Sequence, residues 1–198
     1  MQSIVAQAGW PIWLLFALSV VGLALIVERA LSLRSTRVIP PELAAQVRQM
    51  VRAGEDTPAA IEKLAASSAL GEILAEVLRT RHRPEADMRQ AVEDTGQDVA
   101  YALQRFLPAL ATVATIAPLL GLFGTVIGMI EIFAVYRPDG SDPTQMAHGI
   151  SVALYNTAFG ILIAIPAMIA HRLYRTRVDG LLLRMEQIAR QVAQRVRG

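Results

Sequence analysis

The sequence predicts an all-α integral membrane protein, with three transmembrane helices and long helical extensions on the cytoplasmic side. Three observations predict it. First, the windows 10–27, 108–130 and 149–170 contain no Asp, Glu, Lys or Arg, and a bilayer span needs about 20 mostly apolar residues. Second, arginines gather beyond one end of each window: Arg29, Arg34 and Arg37 after the first, Arg105 before the second, and Arg172, Arg175 and Arg177 after the third. Third, the intervening segments carry the proline and glycine punctuation of helices.

The elements follow in order. Residues 1–9 form an outer N-terminal segment, and 10–33 the first transmembrane helix. The first window competes with a signal peptide. No Lys or Arg precedes it and no small-residue cleavage site follows it, so an uncleaved span is expected. Trp10 and Trp13 suit the outer headgroup zone. Residues 34–107 form a cytoplasmic helical segment. "PPELAAQVRQMVRAG" opens on prolines and stops at Gly54, Thr57-Pro58 resembles a cap with its first turn, and Pro84-Glu85 opens another helix. That helix is unbroken to Pro108, so 84–134 reads as one rod of roughly 75 Å. The second transmembrane helix is 108–135, the short periplasmic loop 136–147, and the third transmembrane helix 148–171. Residues 172–198 continue as a cytoplasmic helix. There Leu181, Met185, Ile188, Val192 and Val196 form an amphipathic stripe, which packs against the 84–107 helix or lies on a membrane surface. The arginine distribution places the N-terminus in the periplasm and the C-terminus in the cytoplasm.

Composition excludes several functions. A net charge of +2 is too small to argue for nucleic acid. The chain has no Cys, and His82, His148 and His171 are far apart. No metal-ligand spacing, phosphate loop or catalytic constellation appears, so neither a cofactor nor an enzymatic activity is expected.

The membrane windows carry the informative residues. Gly121, Thr125 and Gly128 share a helix face, and Gly124 and Gly128 form GxxxG. Gly149, Ala153, Thr157, Gly160 and Ala164 form a second small stripe, flanked by Asn156. Small residues let membrane helices approach closely. Asn156 suits an interhelical hydrogen bond. Pro118 and Pro166 each remove one backbone hydrogen bond, giving either a packed kink or a polar break facing water. Thr125 and Thr157 either bond their own helix or line a proton path. A threonine does not titrate near neutral pH, so neither can be the proton acceptor. Glu131 either ends the second span or belongs to the pathway.

"APLLGLFGTVIGMIEIF" followed by "GISVALYNTAFGILIAIPAMI" resembles the ExbB/TolQ branch of the ExbB/TolQ/MotA proton-channel family. The resemblance is close over spans two and three, and extends in topology to span one and "IVERALSLR". It implies a homopentamer in the bacterial inner membrane. Its lumen is lined by spans two and three and holds a dimer of a single-span partner, ExbD- or TolR-like, whose aspartate takes the proton. Work would reach the outer membrane through a TonB- or TolA-like protein, energising transport or envelope maintenance. By motif, Thr125 and Thr157 match lumen threonines, and Pro118, Gly121, Gly124 and Gly128 match close-packing positions. Many relatives read "GIAEAL" where this chain reads "GISVAL", so Val152 stands in place of a glutamate. A non-conducting membrane scaffold is the alternative function.

Overall fold

A computed structural model describes residues 9–135 and 143–197. The outer segment, apart from Gly9, and residues 136–142 of the expected loop lie outside the described residues. Among the described residues eight helices follow one another: α1 (Pro11–Ser32), α2 (Ser35–Val38), α3 (Leu43–Ala53), α4 (Pro58–Ser67), α5 (Ala69–Thr80), α6 (Glu85–Gln104), α7 (Leu107–Val135) and α8 (Pro143–Arg197). No strand occurs among the described residues. The fold is the expected all-α class, and among the described residues three helical stretches are long and apolar enough to cross a membrane.

The chain divides into two compact units, one from Met1–Glu28 and Phe106–Leu173, the other from Arg29–Arg105 and Tyr174–Gly198. The first contains all three uncharged windows. In it α1 packs along α7. Ile12 and Leu15 are buried, Trp10 meets Phe123 edge to face with centroids 6.0 Å apart, and a Cβ on Gly22 would stand 3.1 Å from Val113 Cγ1. Trp13, Phe16, Val20, Leu23 and Val27 are exposed. An apolar face of that kind suits lipid or other membrane helices, where burial in water-like terms has no meaning.

The second unit is built around α5. Leu70, Ile73, Leu74, Ala75, Val77 and Leu78 are all buried, so this short helix is covered on most sides. Val38, Leu43, Val47, Ile61, Leu64, Val99, Leu181, Met185, Ala189 and Val192 complete the same cluster. The stripe on the α8 tail therefore faces a core made largely by α3, α4 and α5. From α6, Val99 is a buried member of the core, with Val92 and Leu103 partly buried against it.

Local chemistry sets the boundaries. Gly54 ends α3 at φ +68°, a conformation glycine adopts without steric cost. The Thr57 hydroxyl accepts from Ala60 N at 3.3 Å at the start of α4, with Pro58 in the first turn. Ser68 accepts from Gly71 N at 3.1 Å and starts α5, while the Ser67 hydroxyl donates to Leu64 O at 2.7 Å. Asp56 and Arg81 form an ion pair between the start of α4 and the end of α5. Arg177 Nε donates to Leu33 O at 2.9 Å, satisfying a carbonyl just past the end of α1.

One boundary differs from the expected rod over 84–134. The helix is interrupted at Arg105–Phe106, between α6 and α7. Pro108 has no N–H, and its ring crowds the carbonyl four residues upstream, at Gln104. The interruption falls there. The backbone turns through an Arg105 N to Ala102 O bond, and α7 restarts with Leu110 N on Phe106 O. At the other end, α8 begins at Pro143 and takes in residues 143–147 of the segment expected as loop.

Candidate functional site

The site lies in the first unit, where α7 and the first half of α8 run antiparallel with their small faces together. A Cβ on Gly160 would stand 2.6 Å from Ala117 O and 3.1 Å from Gly121 Cα. On Gly121 it would stand 2.8 Å from Asn156 O and 3.1 Å from Thr157 Cα. On Gly124 it would lie 2.5 Å from Asn156 Cβ, and on Gly128 3.2 Å from Ala153 Cβ. On Gly149 it would overlap the side chain of Ile132. At Gly121, Gly128 and Gly160 glycine lets the two backbones approach, and at Gly124 and Gly149 it makes room for the side chains of Asn156 and Ile132. The two small stripes form one seam, with Ala117, Ala153, Ala164 and Ala167 buried along it.

Polar groups sit in or beside this seam. Asn156 is fully buried, and its Nδ2 donates to Val152 O at 3.2 Å on its own helix. A hydrogen bond that crosses from α8 to α7 comes from Thr157, whose hydroxyl donates to Gly121 O at 3.4 Å. Close approach at Gly121 and Gly160 brings that carbonyl within reach. Thr125 is half-buried and donates to Leu122 O at 2.6 Å, within α7. Both hydroxyls keep acceptor lone pairs after donating. Val152 is buried in the same face of α8, so the position where the resemblance led to a glutamate is apolar and packed.

The remaining candidates are placed differently. Pro118 is half-buried on α7 and Pro166 is exposed on α8, and both helices run through them without interruption. Glu131 is exposed near the end of α7. Ala117 and Ile132 belong to the seam without having stood out in the sequence. Ala117 lies one turn before Gly121, which could have drawn attention to it. No cluster of three or more metal-ligating side chains occurs among the described residues.

Fold and seam together define a polytopic helical membrane protein whose second and third spans are locked by small residues and lined at the margin by hydroxyls. The model of the MotA/TolQ/ExbB proton channel family matches residues 65–187, and the chain belongs to that family. It is 33% identical over 175 residues to biopolymer transport protein ExbB-like 1 of Synechocystis sp., covering 84% of this chain and 67% of that one. It is 30% identical over 183 residues to the biopolymer transport protein ExbB homolog of Methanothermobacter thermautotrophicus, covering 92% and 65%. To the Tol-Pal system protein TolQ of Haemophilus influenzae it is 41% identical over 81 residues, covering 40% and 36%. The chain thus spans about two thirds of the length of the first two relatives.

Proposed function

We propose that this chain is the channel and stator subunit of an ExbB- or TolQ-like motor of the bacterial inner membrane. The motor uses the proton-motive force to drive outer-membrane transport or envelope maintenance. Copies of the chain, five in the proposed ring, surround a dimer of an ExbD- or TolR-like single-span partner. A TonB- or TolA-like protein carries the work outward. Membership of the family and the ExbB and TolQ names of its relatives support the class. The arginines after spans one and three support a periplasmic N-terminus and a cytoplasmic C-terminus.

The observation that carries the reading is the placement of Thr125 and Thr157. Each is half-buried, at the margin of a seam whose interior is filled by glycine and alanine. Each hydroxyl donates to a backbone carbonyl and can accept from water. Such a pair solvates a moving proton without storing it. The acceptor then belongs to the partner's membrane carboxylate, and this chain acts on no substrate as an enzyme.

The test is proton flux into vesicles holding the chain and its partner. Thr125→Val and Thr157→Val are each expected to lower flux by about tenfold or more, the factor that ~1.4 kcal/mol on a barrier represents, with the complex intact by mass. Full flux in both variants removes the assigned roles. The buried Val152 favours a second reading, a non-conducting scaffold. Absence of potential-driven flux in the unaltered complex would select it.

A further inference from the structure

Inside the second unit, the end of α1, the start of α5 and the end of α6 meet around a cavity of about 260 Å³. Its polar lining is Arg29 and Ser32 from α1 and Glu72 from the first turn of α5. Leu33, Val99 and Leu103 supply an apolar wall. Arg29 is only 5% exposed, and a guanidinium keeps its charge at any physiological pH. Its Nη1 donates to Leu103 O at 3.1 Å, in the last turn of α6, which fixes the cation in the cavity wall. Glu72 is exposed and therefore stands at the mouth. It takes part in no ion pair among the described residues, so it does not meet Arg29 directly. The cavity separates a buried cation from a carboxylate at its rim.

Chain position adds a second constraint. Arg29 is two residues beyond Val27, the end of the first uncharged window. Two residues of chain reach at most about 7 Å. The polar layer on each side of a bilayer core is about 5–8 Å thick. The covalent chain alone therefore keeps Arg29 at headgroup depth. The volume also limits the ligand. Pockets for drug-sized molecules run about 300–1,000 Å³, so this smaller space suits a headgroup or a metabolite of similar size.

We infer that the cavity binds a phosphate ester carrying a primary ammonium, supplied by the headgroup of phosphatidylethanolamine. Arg29 attracts the phosphate, with the Ser32 hydroxyl beside it, and Glu72 accepts from the ammonium. Charged hydrogen bonds of this kind are about twice as strong as neutral ones. Phosphatidylglycerol offers Glu72 no cation, and the quaternary ammonium of phosphatidylcholine has no N–H to donate. Leu33, Val99 and Leu103 suit the less polar, glycerol end of the lipid headgroup. Neither a ring of copies nor proton flux is required for this binding.

For the test, the full chain is freed of lipid in detergent. It is titrated with short-chain phosphatidylethanolamine, phosphatidylglycerol and phosphatidylcholine, and separately with soluble phosphoethanolamine. Bound adducts are counted by native mass measurement. The expected result is one phosphatidylethanolamine per chain, held about tenfold more tightly than the other two lipids, as for the gain of a charged hydrogen bond. Glu72→Gln is expected to remove that preference. Ala102 is exposed at the cavity edge, and Ala102→Phe is expected to fill the space and abolish saturable binding. Both variants leave Arg29 and its bond to α6 in place. Equal binding of the three lipids, or a preference that survives Glu72→Gln, would overturn the inference. Saturable binding that survives Ala102→Phe would also overturn it, by moving the site elsewhere. Phosphoethanolamine bound as tightly as the lipid would overturn the membrane source and assign the cavity to a soluble metabolite.

Discussion

Gly160 and Gly180 lie on the same helix and have opposite roles. A methyl on Gly160 meets Ala117 O at 2.6 Å, whereas Gly180 has nothing within 4 Å of the position. Gly160→Ala forces α7 and α8 apart, and overpacking of this kind costs about 1–3 kcal/mol. Gly180→Ala relieves the entropy cost of a helical glycine and is expected to stabilise by ~0.5–1 kcal/mol. Thermal midpoints of the detergent-solubilised protein should therefore move in opposite directions for the two variants. Equal shifts would remove the seam as the reason for Gly160. The choice between Asn156 and Thr157 rests on a similar distinction. They are adjacent in sequence, so their side chains differ by about 100° around the helix. Asn156 is turned into the contact, where Gly124 makes room for its Cβ, and Thr157 stands at the edge within reach of Gly121 O. Sequence placed both residues at the small stripe but could not say which of them would be buried.

Helix boundaries show where sequence was sufficient. Gly54 and Thr57-Pro58 were legible because each signal acts on its own backbone. The start of α5 at Ser68 was not, because the serine pair in "AASSAL" becomes a boundary only through its contacts. There a Cβ on Gly71 would overlap Leu64 O and stand 2.6 Å from Ser67 Oγ. Ser68→Ala removes the acceptor for Gly71 N and is expected to cost about 1 kcal/mol. Thr57→Ala, with a longer and exposed cap bond, should cost less. Chemical denaturation midpoints of the two variants check the order. The interruption at Arg105–Phe106 was not foreseen in the rod expected over 84–134, because a proline acts most strongly on the carbonyl one turn before it. The α8 stripe was legible as a stripe, and the 84–107 helix does contribute Val99 to the core it faces, but the larger share from α3, α4 and α5 was not legible. Leu181, Met185 and Val192 meet a core centred on α5, more than 100 residues earlier in the chain, and no local pattern encodes that choice.

At the scale of the whole molecule, the second unit is discontinuous in sequence, since residues 174–198 close a core begun by residues 29–105. Ending the chain after Gly180 removes Leu181, Met185, Ala189 and Val192 from that core. The truncated protein is expected to be cut by protease within 58–80 under conditions where the full chain resists. Equal resistance would show that α3 to α6 hold α5 alone. The arrangement also orders events during synthesis. Residues 29–105 leave the ribosome well before the segment that covers them, and both later membrane windows are made in between. Until then the part of the core filled by Leu181, Met185, Ala189 and Val192 is open, and exposed apolar surface of that kind makes nascent chains prone to aggregate. This core therefore closes only after translation has passed through all three membrane windows.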